Sequence, residues 1–230
     1  LGDKSVIVLE LSSFQLSRTD KFRPAVAVFL NLSDNHLDRH SNFKEYFDAK
    51  MRIFKNQTVS DWAVINAEDK NLVKAARRIK AKKIFFSPEL KTIFTIPPLP
   101  LGERGRVRGL GRNKSPSSSS SPLLGEEEFK KNLLFTGLLR FAGIEDGKLF
   151  VRIGKNINYV CPVDDLRIRG RHNIENALAA ISASLAIGAG VLKISCAIKT
   201  FKGLEHRCEY VALVHGIGFI NDSKSTTPEA

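Results

Sequence analysis

The sequence has few cysteines and no pairing pattern among them. Its three cysteines, Cys161, Cys196 and Cys208, form no CxxC pair, and their odd number leaves at least one without a partner. These features argue against a disulfide framework and against a zinc site built from thiolates. They favour a reducing compartment, and we expect a cytoplasmic protein.

The sequence also lacks a hydrophobic run long enough to cross a bilayer. The longest uncharged stretch, residues 176–192, contains Ser, Asn and a Gly-Ala-Gly break, and it is shorter than the roughly 20 apolar residues of a membrane-spanning helix. No secretory leader opens the chain, whose first residue is Leu1 rather than Met. We therefore expect a buried helix here, no membrane span, and a chain that is a fragment of a longer protein.

The bulk composition is that of a globular protein with a strong positive charge. Hydrophobic residues make up 43% of the 230 residues, which excludes disordered and fibrous classes. The net charge of +12 indicates attraction to polyanions, either nucleic acid or phosphorylated small molecules. Many basic residues lie in KAARRIKAKK, residues 74–83, which is equally typical of a solvated helix face.

Residues 97–128 interrupt the globular pattern with Pro, Gly, Ser and blocks of charge. This composition predicts a disordered insertion that separates residues 1–96 from residues 129–230. Its GLGRNKS stretch is not a phosphate-binding loop, because Asn113 replaces the glycine before the lysine and no strand precedes it. No aromatic residue is interleaved for stacking on bases, so we interpret the segment as a solvated linker.

Strand and helix patterns alternate on both sides of this insertion. Before it, the patterns predict strands over residues 6–11, 25–32, 63–66 and 83–86 and helices over residues 43–54 and 71–79. After it, they predict strands over residues 149–153, 157–160, 210–214 and 218–221 and helices over residues 173–187 and 192–201. The alternation implies an α/β fold, with a mostly parallel sheet flanked by helices and a small accessory antiparallel sheet.

A lysine interrupts the apolar side of the predicted helix 43–54. At helical spacing Phe43, Tyr46, Phe47 and Phe54 share one side, and Lys50 lies in the middle of it. Such a lysine either lays its methylenes along the apolar surface and extends its amine to water, or it is desolvated and loses its proton more easily. In the second case the neutral amine can react or bind.

Polar residues also cluster where predicted strands end, which is where open α/β sheets bind ligands. Glu10 interrupts the apolar run 6–11, and a buried carboxylate there needs a cation, a hydrogen-bonding cluster or a position at the strand end, with a structural salt bridge as the simplest case. Ser12 and Gln15 follow as turn residues or ligand contacts. His36 lies in a loop dense in metal or phosphate ligands, shortly before the predicted helix of Lys50. Short connections of this kind would allow Glu10, His36 and Lys50 to converge.

The last predicted strand runs into a similar polar stretch that contains Asp222, Lys224 and Thr226. A lysine among hydroxyl groups suits a carboxylate or a phosphoryl oxygen, although a solvated turn has the same composition. A ligand site and an ordinary turn both remain open for this stretch.

Two further stretches carry polar groups suited to a nucleotide. Asn173 and Asn176 are three residues apart at a predicted helix start, where Asn173 is alternatively an N-cap. His206 and Arg207 follow later, and the arginine suits either a phosphate or an ordinary ion pair.

Six motifs in this order resemble those of the ATP-dependent Mur ligases: ELSSFQL, NHLDRH, YFDAKMRIF, GRHNIENALAA, FKGLEHRCEYV and INDSKST. The resemblance covers the chain apart from the insertion, and the combination of ELSSFQL with DSKST is typical of the members that add D-glutamate. It implies amide ligation in peptidoglycan precursor synthesis, in which ATP phosphorylates the carboxylate of UDP-N-acetylmuramoyl-L-alanine and the amine of D-glutamate attacks the acyl phosphate. It further implies an enzyme that uses Mg²⁺. We also expect a monomer that does not act on nucleic acid.

The resemblance also implies roles for individual residues. Glu10, His36 and Lys50 would hold magnesium, with Lys50 carbamylated, and Lys50, His36 and Lys224 would be the catalytic residues. The ATP-binding residues would be Asn173, Asn176, His206, Arg207 and Asp222. The residues that bind the other substrates would be Ser12, Gln15, Lys224 and Thr226.

The sequence departs from the family at its ends. The GKS/T-type phosphate loop that precedes the first of these motifs in the family is absent, as are the amino-terminal and carboxy-terminal domains. We therefore expect a central domain truncated at both ends and inactive alone. The alternatives are a sister Mur ligase, a ligase like folylpolyglutamate synthase, and a basic module that binds nucleic acid through its charge.

Overall fold

A six-stranded sheet forms the centre of the fold in the computed structural model, which describes residues 5–32, 40–89 and 140–225. The strands are β1 (Val26–Phe29), β2 (Trp62–Asn66), β3 (Lys82–Phe86), β4 (Arg140–Glu145), β5 (Lys148–Ile153) and β6 (Asn156–Pro162). They follow one another in chain order across the sheet. Strands β1 to β4 are parallel to one another, whereas β5 is antiparallel to both β4 and β6.

Five α-helices and a separate two-stranded sheet complete the described part of the chain. The helices are α1 (Ser13–Ser17), α2 (Phe43–Met51), α3 (Lys70–Ala76), α4 (Arg171–Ala186) and α5 (Val191–Thr200). Short 3₁₀ helices follow α2 at Arg52–Phe54 and β6 at Val163–Asp165. The second sheet is a hairpin of β7 (Glu209–Val214) and β8 (Ile217–Asn221). The predicted fold class is confirmed, including the small antiparallel sheet.

The main sheet is covered on both faces. On one face Ile65 of β2 packs in a cluster with Leu72 of α3 and with Phe54, which follows α2. On the other face Val64 packs in a cluster with Leu178 of α4. Because neighbouring residues of β2 point to opposite faces and both faces are buried, the strand reads as a continuous apolar run rather than an alternating one.

Three of the described helices begin with side-chain caps, whereas α4 and α5 begin at Gly170 and Gly190 without one. Asn42 accepts a hydrogen bond from the backbone of the first turn of α2, and Asp69 does the same for α3. Ser12 and Gln15 form a capping box at the start of α1. The N-cap of α4 is Gly170, which has φ 98° and offers no side chain for this purpose.

The structure corrects one predicted strand and adds one that was missed. Residues 6–11 have no regular secondary structure, and Val8 is 89% exposed. The prediction was wrong because an apolar run becomes a strand only when a neighbouring strand pairs with its backbone, and no described strand pairs with this run. The missed strand β4 joins the predicted hairpin at residues 149–160 to the main sheet.

Two other expectations concern the chain as a whole. The predicted insertion at residues 97–128 lies outside the described residues, so its disorder and the division of the chain around it stay predictions. Within the described ranges, every helix is too short or too polar to traverse a lipid bilayer.

Candidate active site

The carboxyl ends of the parallel strands bring several predicted and unpredicted polar residues to one edge of the sheet. Phe29 of β1 is in register with Ile65 of β2, which is in register with Phe85 of β3. The three strands therefore end side by side, and the loops that follow β2 and β3 carry Glu68 and Glu89 along this edge. Ligands of open α/β sheets bind at the carboxyl ends of the strands.

Lys50 lies at this edge, against two aromatic rings. Its Nζ is 4.9 Å from the ring centre of Tyr46 and 5.7 Å from that of Phe29, the last residue of β1. Tyr46 is only 1% exposed, whereas Lys50 is half-buried. The ring faces attract the ammonium form. Lys50 is therefore held at the strand end by aromatic contacts.

The predicted magnesium ligands are only partly described. His36 lies outside the described residues. Glu10 is exposed and has neither a hydrogen-bond nor an ion-pair partner among the described residues. It does not end a strand, because residues 6–11 form none. No group of three or more His, Cys, Asp or Glu residues suited to a metal occurs within the described ranges, so the convergence of Glu10, His36 and Lys50 stays a prediction.

Ser12 and Gln15 hold the start of α1. The Ser12 backbone amide and hydroxyl donate to Gln15 Oε1 at 2.8 and 3.1 Å. The backbone amide of Gln15 in turn donates to the Ser12 hydroxyl at 3.3 Å. Both residues are exposed. This capping arrangement leaves both side chains at the surface, accessible to a ligand, and their role as substrate contacts stays a prediction.

A buried histidine that sequence reasoning did not single out connects α1 with α2. His40 is 8% exposed, and its Nε2 lies 2.9 Å from the hydroxyl of Ser13. The His40 ring stacks on Phe14 at 5.0 Å between centres. It lines a cleft of about 400 Å³ between the two helices, together with Glu45, Asp48 and other residues. Nothing in the sequence distinguishes His40 from the other polar residues of its loop.

Arg171, the first residue of α4, pairs with carboxylates from three parts of the chain. Its Nη2 donates to both oxygens of Glu68 at 2.8 and 2.7 Å, and its Nη1 donates to Glu89 at 2.7 Å. Its Nε donates to Glu175, one turn further along α4, at 3.3 Å. The Ser87 hydroxyl adds a hydrogen bond to Glu68 at 2.7 Å. This group of residues, here called the Arg171 cluster, joins α4 to the ends of β2 and β3.

The charges of this cluster perturb one another. Hydrogen bonds to Glu68 and Glu89 raise the pKa of the Arg171 guanidinium, which stays charged at any accessible pH. Burial raises the pKa of the Glu175 carboxyl, and the negative charge of Glu68 adds to the effect, while Arg171 opposes it. The cluster thus contains three carboxylates and a single guanidinium, and Arg171 is the group that allows them to lie together.

The two predicted asparagines near the start of α4 lie next to the Arg171 cluster in the chain. The Asn173 side chain donates from Nδ2 to the carbonyl oxygen of Arg169 at 2.7 Å. Asn173 is not the N-cap, since Gly170 occupies that position. Asn176 is exposed on the next turn. Both side chains therefore lie in the first turns of α4, directly after Arg171.

The base of the β7–β8 hairpin brings together residues from the two last motifs. The Lys224 amide donates to the carbonyl oxygen of His206 at 3.0 Å. The Cys208 amide donates to Asp222 Oδ1 at 3.1 Å. The imidazole Nδ1 of His206 lies 2.8 Å from Asn221 Nδ2. His206, Asp222 and Lys224 thus belong to one pair of hydrogen-bonded turns.

Two further predicted residues belong to this region, Arg207 and Thr226. Arg207 lies in the same turn as His206, is exposed, and donates its backbone amide to Leu204 at 3.2 Å. Its guanidinium has no ion-pair partner among the described residues, which leaves it available to an anion. Thr226 lies outside the described residues.

Comparison with known proteins places this chain among enzymes of one family. The Mur ligase middle domain family matches residues 2–136. A relative from Alkaliphilus oremlandii (strain OhILAs), named UDP-N-acetylmuramoylalanine--D-glutamate ligase, is 37% identical over 98% of this chain and 39% of its own length. A relative of the same name from Koribacter versatilis (strain Ellin345) is 32% identical over 100% of this chain and 40% of its own length.

A solved structure is similar in fold. The crystal structure of MurF from Acinetobacter baumannii superposes with a TM-score of 0.51 at 18% identity, covering 87% of this chain and 34% of that chain. This chain thus spans about 40% of the length of the curated relatives that it matches. On the strength of the family match over residues 2–136, the chain belongs to the Mur ligase middle domain family.

Proposed function

We propose that this chain is the middle part of an ATP-dependent amide ligase that joins D-glutamate to UDP-N-acetylmuramoyl-L-alanine in peptidoglycan precursor synthesis. The observation that carries the proposal is the 37% identity over 98% of the chain to a relative named for this activity. The match extends through both halves of the chain and includes the strand-end edge and the hairpin base. The proposal places the protein in the cytoplasm as a monomer.

The reaction has two steps with a charged intermediate in each. The γ-phosphoryl group of ATP passes to the alanyl carboxylate, which gives an acyl phosphate and ADP. The amine of D-glutamate then attacks the carbonyl carbon, and the tetrahedral intermediate expels phosphate and loses a proton to give the amide. Negative charge develops in both steps, so fixed cations near the reacting carboxyl group accelerate the reaction.

The hairpin base supplies candidates for that cation and for the nucleotide. We assign Lys224 to the reacting carboxylate and to the glutamate, with Thr226 beside it in the chain. His206, Arg207 and Asp222 would contact ATP together with Asn173 and Asn176. Support comes from the hydrogen bonds that hold His206, Asp222 and Lys224 in one pair of turns, and from the exposed guanidinium of Arg207.

Lys50 at the strand-end edge and the exposed Glu10 are candidates for a magnesium site. Magnesium prefers oxygen ligands, and the exposed carboxylate of Glu10, which has no partner in the described ranges, is a donor of that kind. The residues that would hold the ion are Glu10, His36 and Lys50, with Lys50 converted to a carbamate. Bound magnesium would neutralise phosphate oxygens as negative charge develops.

Carbamylation changes Lys50 from a cation into an oxygen ligand. Carbon dioxide adds to the neutral amine, an N–C bond forms, the nitrogen loses a proton, and the product carries a carboxylate. The reacting nitrogen lies beside the rings of Tyr46 and Phe29. Its half-exposed position leaves a path for carbon dioxide. The exposed side chains of Ser12 and Gln15 would contact the UDP-sugar substrate.

The test is the amino-acid dependence of ligation by the complete gene product that contains this chain. The protein is incubated with ATP, magnesium, UDP-N-acetylmuramoyl-L-alanine and one amino acid at a time, and the product is identified by mass. The proposal expects the dipeptidyl product with D-glutamate and little with L-glutamate or diaminopimelate. Product with another amino acid in its place would overturn the assignment in favour of a sister ligase. In a parallel incubation with a folate and L-glutamate in place of the UDP-sugar and D-glutamate, glutamylation of the folate would overturn it in favour of a folylpolyglutamate synthase.

A further inference from the structure

The ion pairs of Arg171 concentrate at the start of α4. The Arg171 side chain is 53% exposed, and its carboxylate partners are 57% exposed at Glu89, 25% at Glu68 and 18% at Glu175. An exposed pair such as the one with Glu89 contributes little to the free energy of unfolding, whereas the two-bond pair with Glu68 has the geometry that contributes more. A cation in the first turn of a helix opposes the helix dipole, so these pairs hold Arg171 where the helix itself disfavours a cation.

The start of α4 has no side-chain N-cap. Gly170 has φ 98°, a backbone conformation that residues with a Cβ atom rarely adopt, so the Ser, Asp or Asn cap that begins other helices is excluded. The Asn173 side chain bonds to the nearby carbonyl oxygen of Arg169. The Arg171 cluster makes the longer-range connection, because it fastens the first turn of α4 to Glu68 after β2 and to Glu89 after β3.

Two asparagines in the first turns of α4 explain why these turns need to be held in place. Asn173 and Asn176 follow Arg171 by two and five residues, and the proposed function assigns both to ATP. A shift of about 1 Å in a binding group is enough to weaken a site strongly. We propose that Arg171 is a positioning residue for nucleotide binding, whose pairs with Glu68 and Glu89 fix the first turns of α4 at the carboxyl ends of β2 and β3. The inference rests on the proposed function.

The first measurement needs no nucleotide. Hydrogen exchange of residues 171–178 is compared between the unchanged protein, Arg171→Met and Arg23→Met, all in the complete gene product. Arg23→Met is the matched control, since it removes an arginine paired at 2.8 Å with Asp61 at the opposite ends of the strands. We expect exchange in residues 171–178 to rise about tenfold in Arg171→Met, as for a local loss of about 1.4 kcal/mol, and to stay unchanged in the control.

The second measurement is the affinity for a fluorescent ATP analogue. We expect Arg171→Met to weaken binding about tenfold, Arg23→Met to leave it unchanged, and Arg171→Lys to restore only part of it, because a single ammonium cannot serve Glu68 and Glu89 in the same geometry. Glu68→Gln should weaken binding in the same direction, and its effect should not add to that of Arg171→Met.

The two measurements separate the ways in which the inference can fail. Unchanged exchange of residues 171–178 in Arg171→Met overturns the positioning role, whatever the nucleotide affinity. Increased exchange with an unchanged affinity overturns the link between α4 and the nucleotide. If the unchanged protein binds no nucleotide at all, the proposed function fails and the binding role of Arg171 fails with it.

Discussion

The backbone amide of Lys224 donates a hydrogen bond of 3.0 Å to the carbonyl oxygen of His206. A second bond, from the Cys208 amide to Asp222, crosses the same two turns. His206 and Cys208 have φ values of 67° and 46°, a backbone region that residues other than glycine adopt mainly when surrounding contacts hold them there. Each turn therefore depends on the other for its shape.

Two replacements of Asp222 distinguish the effect of its hydrogen bond from the effect of its charge. Asp222→Ala leaves the Cys208 amide without its acceptor, at a cost of about 0.5–1.5 kcal/mol, so we expect faster hydrogen exchange over residues 204–208. Asp222→Asn keeps an oxygen acceptor and should retain normal exchange. If Asp222 also acts through its charge on the nucleotide, Asp222→Asn will still lose ligation activity. Equal exchange in all three proteins would contradict the coupling of the two turns.

The ion pair of Arg23 with Asp61 predicts a specific acid sensitivity. The Arg23 guanidinium lowers the pKa of the Asp61 carboxyl from 3.8 to about 2 in the folded protein. Because the folded value is lowered, the stabilisation is present above about pH 4 and is lost as the pH falls towards about 2. Denaturant unfolding of the unchanged protein and of Asp61→Asn, measured across this range, should therefore converge at low pH. A constant difference in the free energy of unfolding would show that the carboxylate charge is not responsible.

Because α4 covers one face of the sheet, a cavity between α4 and the sheet should greatly lower the free energy of unfolding. Leu178 is fully buried among residues of α4, β2 and β3, so Leu178→Ala should lower the free energy of unfolding by about 2–5 kcal/mol. Leu192→Ala is the control, because Leu192 of α5 is 87% exposed and its truncation should change stability by less than about 0.5 kcal/mol. Chemical denaturation of both variants tests the assignment, and similar losses would contradict the packing of α4 on the sheet.

Local sequence patterns predicted most of the described fold, because buried strands appear as apolar runs and packed helices as apolar residues at helical spacing. The run that contains Val64 and Ile65 is apolar throughout since the two faces of β2 are both covered. The same rule failed for residues 6–11, where apolar composition did not provide a neighbouring strand. It also missed β4, which begins at Arg140, after the predicted insertion, and pairs with β3 before the insertion and with β5 after it.

The candidate site was predictable in composition but not in contacts. The motifs placed His206 and Lys224 in polar turns, yet the hydrogen bond between them follows from the pairing of β7 with β8. Arg171 and Glu68 are 103 residues apart, and no local pattern links them. The aromatic surroundings of Lys50 were visible in Tyr46, one turn away, but Phe29 joins them only because β1 ends beside α2.

We propose that this chain forms part of a ligase whose reaction depends on the amine of Lys50. The most direct measurement is D-glutamate ligation by the complete gene product carrying Lys50→Ala, with and without added bicarbonate. Lys44→Ala is the matched control, since Lys44 is an exposed lysine of the same helix. We expect Lys50→Ala to abolish product formation, bicarbonate to leave it abolished, and Lys44→Ala to retain it. Retained ligation in Lys50→Ala would contradict the account.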